Sequence, residues 1–304
     1  MRTLQSRSAW HPVRHLWALA AAAVLALAAP ASVRANTTFA SPEAAMNALG
    51  QAISSNDDAA LKALLGANFR DLIPPVGATI RERFLAAWAE SHSIRPEGDS
   101  HAVVAVGHDD WTLPIPLVKS AHGWQFDTSA GAEEMRIRRI GRNERAAMQT
   151  LLAVHDAQVE YAATDHDGDG VLSYATRLSS SPGKQDGLYW PTPAGEKPSP
   201  LGAAVANAGA AKGADGYYGY HYRLLTAQGP HAQGGALNYV VRGKLFGGFA
   251  VIAWPVRYGD SGVMSFIVSH TGEVYERDLG TDTAAKVSAT KSFDPGPGWT
   301  KVSP

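Results

Sequence analysis

Asp165-His166-Asp167-Gly168-Asp169-Gly170-Val171-Leu172-Ser173 joins residue type and spacing in a way that specifies a chemistry. Carboxylates at positions one, three and five, a glycine at six for a sharp turn, a carbonyl at seven and a hydroxyl at nine follow the donor order of a calcium loop. Asp165, Asp167 and Asp169 are the direct ligands this order predicts, with Val171 contributing its backbone carbonyl and Ser173 its side chain. Without a cation, three carboxylates converging on one point repel each other and must be held in water. Position twelve is Thr176 where the full motif has a bidentate glutamate, so the expected affinity falls toward about 0.1 to 1 mM. Such a site suits a structural calcium clamp at a helix end better than a signalling switch. The competing reading is a solvated Asp/Gly turn that stops the helix.

Other candidate chemistry is sparse. Of eleven histidines, His11 and His15 belong to the leader described below, and the other nine are scattered without metal-ligand spacing. His155 falls on the inward stripe of a long helix and reads as a hydrogen-bonded core residue. His221 and His231 flank a tyrosine-rich strand and are the two that would line a groove if a carboxylate met them. Gly259-Asp260-Ser261-Gly262 matches the nucleophile loop of trypsin-like proteases only superficially: Val263 follows, and neither disulfides nor the other triad partners stand in the required context. It reads as a loop joining two strands. Gly187-Leu188-Tyr189-Trp190-Pro191, preceded by Lys184 and Asp186, is either a partner surface or an aromatic anchor pinning a long loop, and the anchor is favoured. No catalytic set emerges.

The elements that must position the acidic loop follow from periodicity. Ser41, Pro42 and Glu43 open a helix carrying Met46, Leu49 and Ile53, and Asn56-Asp57-Asp58 breaks it and caps a second helix that ends at Gly66. A third is predicted from Ile80 to about Glu90, with Ile80, Phe84 and Trp88 on one face and Arg81 and Glu82 on the other. After Pro96 the pattern becomes extended at 101–106, 111–118 and 123–127. A long helix from about Asn143 to Thr164 then carries Met148, Leu151, Leu152, His155, Val159 and Ala162 as its buried stripe. Strands are predicted at 218–226, 237–242, 249–256, 263–269 and 273–277, with His270-Thr271-Gly272 as a hairpin turn. The proline-rich stretch 173–216 is a long loop insertion.

The fold expected is therefore α+β. A small module of helices then a meander resembles NTF2-like or cystatin-like modules and occupies residues 36–130. Residues 131–142 form a basic connector, 143–280 a long helix packed on an antiparallel sheet, and 281–304 a tail. The plan of this second part is similar to a type IV pilin or pseudopilin head, most visibly in Asn143 to Ala162 and Gly262 to Tyr275. With no prepilin leader and no apolar half-helix running into the long helix, pilus assembly is not expected.

Residues 1–35 read as a signal peptide: Arg2, Arg7 and Arg14, an apolar run from Leu16 to Ala29, then Val33-Arg34-Ala35 as the cleavage signal. The apolar run is shorter than the roughly 20 residues a spanning helix needs, so the mature chain is expected to carry no integral membrane span. Periplasmic or secreted localisation follows. The chain has no cysteine, which excludes a lipid-modified N-terminal cysteine, a disulfide framework and thiolate chemistry. Lys and Arg total 27 against 28 Asp and Glu, a balance with no footprint for nucleic acid or anionic lipid.

RRIGRNE at 138–144, DGDGVLSYA at 167–175, SPGKQDGLYWP at 181–191, LTAQGP at 225–230 and GGFAVIAWPVRYG at 247–259 lie in one order along the chain. On these segments the mature chain resembles the exported bacterial proteins catalogued as the domain of unknown function 2950 family. The resemblance implies export and a shared architecture, and it carries over no catalytic residue. Two functions stay open: a non-enzymatic envelope or secreted protein binding an envelope protein or ligand through its second part, and a periplasmic hydrolase whose polar groups converge only in three dimensions.

Overall fold

The computed structural model describes residues 37–109, 111–208 and 216–304, and the expected leader and its cleavage point lie outside them. The architecture is α+β. Helix α1 (Pro42–Ser54) starts where the Ser41 hydroxyl accepts the Ala44 N–H, and α2 (Asp58–Leu65) where Asp57 accepts that of Ala60. Helix α3 (Thr79–Glu90) is followed by strands β1 (His92–Pro96), β2 (His101–Val106), β3 (Leu117–Ser120) and β4 (Gly123–Phe126), antiparallel in that order. Leu49, Ile53, Leu61, Val104, Ile115 and Phe126 fill one core between these helices and the sheet.

Two expectations in this region are corrected. Strand β1 was not expected, because nearly all its residues are exposed and it lacks an apolar alternation. On α3 it is Arg81 that is buried, whereas Ile80 is 60% exposed. The Arg81 guanidinium donates to the carbonyls of Pro74 (3.0 Å) and Ile53 (2.8 Å) and to the Asn56 amide oxygen (2.9 Å). Those oxygens replace water around the two terminal nitrogens, a pairing that hydrophobic periodicity cannot register, while the buried Arg81 Nε has no partner among the described residues.

Helix α4 (Thr128–Tyr161) begins much earlier than Asn143. Asp127 caps it by accepting the Ala130 N–H at 2.9 Å, and it runs unbroken through residues 131–142, which were expected to be a connector. Alanine, arginine, glutamate and methionine there favour helix even without a continuous apolar stripe. The buried stripe is Ala147, Leu151, Val154, Ala157, Gln158 and Tyr161, rotated from the expected one, and Val159 is 53% exposed.

The sheet that α4 packs on is β13-β12-β11-β10-β5, antiparallel throughout. After α5 (Ala203–Ala208) come β5 (Tyr220–Leu225), β6 (Ala227–Gln228), β7 (Leu237–Asn238), β8 (Val240–Val241), β9 (Lys244–Leu245), β10 (Ala250–Pro255), β11 (Met264–Ser269) and β12 (Val274–Asp278). The segment 237–242 thus makes two short ribbons, β6-β7 and β8-β9, instead of one strand of the sheet. Residues 281–304, expected as a tail, contribute α6 (Thr283–Ala289) and the edge strand β13 (Thr300–Val302). Both faces are covered. Val251, Ala253, Phe266 and Val268 face α4, while Ala250, Ile252 and Ile267 pack with Tyr239, Leu245, Val287 and Phe293. Burial on both faces explains why β10 and β11 read as continuous apolar runs.

The RRIGRNE segment of α4 meets the loop that follows the GGFAVIAWPVRYG segment. Arg139 pairs with Asp260, the Asn143 amide donates to the Ser261 carbonyl at 2.8 Å, and Glu144 accepts the N–H groups of Val263 and Met264 at 2.9 and 3.0 Å. The loop between β10 and β11 therefore serves as a docking surface for α4. The Ser261 hydroxyl is absorbed locally, donating to the Arg257 carbonyl and accepting its N–H. No helix of the described residues is long and apolar enough to cross a membrane.

Candidate metal centre

The acidic loop leaves the C-terminal end of α4. The Ala162 N–H closes the helix on the Gln158 carbonyl, and three residues later Asp165 folds the chain around its own side chain. One Asp165 oxygen accepts the N–H groups of Asp167 (3.3 Å) and Gly168 (2.9 Å), and the other accepts that of Gly170 (2.8 Å). Gly168 and Gly170 have φ of 75° and 81°, in the left-handed region that costs a side-chain-bearing residue energy. Asp169 in turn accepts the Val171 N–H at 3.0 Å. One oxygen each from Asp165, Asp167 and Asp169 can be chosen so that all lie within 4.8 Å of one another.

The loop is fixed at both ends. His166 stacks on Tyr161, centroids 3.9 Å apart, and bonds the Gln185 side chain, while the Gln185 backbone carbonyl accepts the Tyr161 hydroxyl at 2.5 Å. Burial pushes the Tyr161 hydroxyl up to about 12, so it stays a donor at any physiological pH. On the far side, fully buried Gln158 exchanges two 2.9 Å hydrogen bonds with the Ala175 backbone, and the Tyr174 N–H donates to Leu245. Residues 181–191 form the other wall: Asp186 accepts from the Ser181 N–H and hydroxyl, and Leu188 is fully buried with Tyr189 and Trp190 packed beside it. This is the anchor arrangement.

Lys244 completes the cluster from 75 to 77 residues away. It sits on the β8-β9 ribbon, whose two-residue turn, Arg242 and Gly243, has positive φ at both positions as a type I′ hairpin requires. Its ammonium lies 2.9 Å from Asp167 and also pairs with Asp169. The bond to Asp167, then that to Asp169, raises the Lys244 ammonium above its ordinary value, while the Gly170 N–H lowers Asp165 and Lys244 lowers Asp169. A cation thus already pairs with two of the three predicted ligands. No pattern in the loop's own neighbourhood marks Lys244, so sequence reading missed it.

The remaining predicted residues differ in position. Val171 and Ser173 continue the loop, Val171 largely exposed, and the Thr176 hydroxyl turns to the Asp186 carbonyl at 3.4 Å instead of closing the acidic ring. A divalent ion there would rely on the three carboxylates, the Val171 carbonyl, Ser173 and water, an oxygen-rich, hard donor set.

His155, His221 and His231 do not join this site. His155 bonds Asp156 and the His270 carbonyl, and the His221 ring lies 5.4 Å from that of Trp254. His231 bonds Asp294 at 3.1 Å, at the surface.

A family model described as "Protein of unknown function (DUF2950)" matches residues 36–302 of the chain. No curated protein and no solved structure matches it.

Proposed function

We propose that the chain, which belongs to this family, is an exported envelope or secreted protein that binds a partner without catalysing a reaction, and that its acidic loop is a structural calcium clamp. The observation carrying the clamp is that oxygens of Asp165, Asp167 and Asp169 lie within 4.8 Å of one another, two of them already paired with Lys244, on a backbone that Asp165 and two left-handed glycines hold in a loop. Asp165, Asp167 and Asp169 supply the charge, and Val171 and Ser173 are the further oxygens. Bound calcium would tie the end of α4 to the loop that leads into residues 181–191, and Lys244 would withdraw to solvent. The clamp suits a compartment where free calcium is near millimolar, which agrees with export.

Export itself rests on the basic, apolar and small-residue order of residues 1–35. The family match takes up the chain at Asn36, the residue that follows cleavage after Ala35. Intact mass of the extracytoplasmic protein tests this half: a chain beginning at Asn36 is expected, and a leader retained in a membrane fraction contradicts it. The partner is an envelope protein or ligand, with no role for nucleic acid in a chain of balanced charge.

A further inference from the structure

We propose that a groove along α4, bounded by Trp111 and Tyr218, is the docking site for an acidic peptide segment of a partner protein. This names the surface for the binding reading above and uses none of the acidic-loop residues. The groove has a volume of about 900 Å³. Arg138, Arg142, Arg145, Gln149 and Ala153 line it at intervals of four, three, four and four, one continuous face of α4. At about 1.5 Å per residue that face is roughly 22 Å long, room for about six residues of extended chain.

Charge identifies the occupant. Arg138 is satisfied by Glu134 at 2.7 Å and by Thr112 at 2.6 and 3.0 Å. Arg142 and Arg145, both exposed, have no hydrogen bond or ion pair among the described residues, while neighbouring Arg136 and Arg139 are paired. Two like charges three residues apart on a helix repel, so the fold gains nothing from this pair. Gly141 lies on the same face, and a Cβ there would meet nothing within 4 Å. The groove floor is bare where a helix would ordinarily carry a side chain, and glycine inside a helix costs stability.

The rest of the lining fits a peptide. Trp111 is 43% exposed with the Arg138 guanidinium 6.0 Å from its ring, and Tyr218 is 56% exposed with its backbone in the left-handed region at φ 50°. A non-glycine residue held there is strained, and strain of this kind gathers at binding surfaces. Arginine, tyrosine and tryptophan are the residues that carry affinity at protein interfaces, and free guanidinium forks select carboxylates.

The test is fluorescence anisotropy of a labelled hexaglutamate peptide with the purified protein, alongside Arg142→Ala/Arg145→Ala, Lys301→Ala, a hexalysine peptide and an oligogalacturonate competitor. Saturable binding is expected, weakening with salt, lost by about tenfold or more in the double arginine variant and unchanged by Lys301→Ala. Because neither arginine has a partner among the described residues, the double variant should melt with the wild type, separating lost binding from lost fold. Absence of hexaglutamate binding, equal binding of hexalysine, full binding by the double variant, or tighter binding of the oligogalacturonate overturns the peptide assignment. Turnover of a hydrolase substrate by the protein would instead contradict the non-enzymatic reading on which it rests.

Discussion

The Lys244 ammonium stands 2.9 Å from an Asp167 carboxylate oxygen although 77 residues separate the two. Through that contact the β8-β9 ribbon supplies an internal cation to the loop that ends α4. One positive charge against Asp165, Asp167 and Asp169 leaves a local excess of two negative charges, and a divalent ion in place of the ammonium reduces that excess to one. Lys244 is therefore the internal competitor that calcium must displace.

The same contacts set a pH dependence. Asp165 and Asp169 are held below their ordinary 3.8, by the Gly170 N–H and by Lys244 respectively. A depressed carboxylate contributes stability that is in place above the unfolded value and lost as pH falls through the folded one. Lys244, raised above 10.5, contributes below that value and loses its share as pH rises beyond it. With chelator present, the melting temperature should fall as pH drops below about 3.8, and Asp169→Asn should flatten part of that fall. A profile identical in the two proteins would detach Asp169 from stability.

Gln158 ties the helix to the loop. Its replacement by alanine leaves the buried Ala175 N–H and carbonyl without the partners they now have at 2.9 Å. The expected cost is about 2 to 4 kcal/mol by chemical denaturation, since each unsatisfied buried group costs roughly 1 to 3 kcal/mol. Calcium affinity should weaken with it, because the far end of the acidic loop loses its anchor. A loss below about 0.5 kcal/mol would show that water replaces both bonds.

Separate apolar cores lie in the N-terminal module and around α4. We propose two folding units with their boundary at the start of α4. A fragment starting at Thr128 keeps Arg136 and Arg139, which reach Gly259 and Asp260, whereas one starting at Asn143 loses them. The first fragment should melt cooperatively and resist limited proteolysis better than the second. Failure of the Thr128 fragment to fold would instead make residues 36–304 one cooperative unit.

Much of this was legible where local chemistry decides structure. Ser41 and Asp57 announce their helices as caps, and the apolar runs at 249–256 and 263–269 announce β10 and β11. The first half of α4 was not legible, because Gly131, Gly141 and an arginine-rich stretch break the apolar stripe while Asp127 and long-range pairs hold the helix. Val159 was assigned inward by periodicity, yet α4 packs on its sheet through Ala147, Leu151, Val154 and Ala157 and leaves Val159 exposed. At the candidate site the three aspartates and their glycines were legible from spacing, since an Asp/Gly loop is built by its own backbone. Lys244 and Gln158 were not, because tertiary packing alone brings them there.

Titration calorimetry with calcium, on protein first stripped by chelator, tests the clamp most directly. The wild type should release or absorb heat with a dissociation constant of about 0.1 to 1 mM. Asp167→Ala/Asp169→Ala should show none, and Lys244→Met, with its competitor gone, should bind several-fold more tightly. At about 1 mM free calcium and a constant of about 0.1 mM, linkage adds about 1.4 kcal/mol to wild-type stability, visible as a raised melting temperature. No heat at millimolar calcium, with superimposable melting curves in calcium and in chelator, would contradict the clamp and leave Lys244 as the loop's only cation.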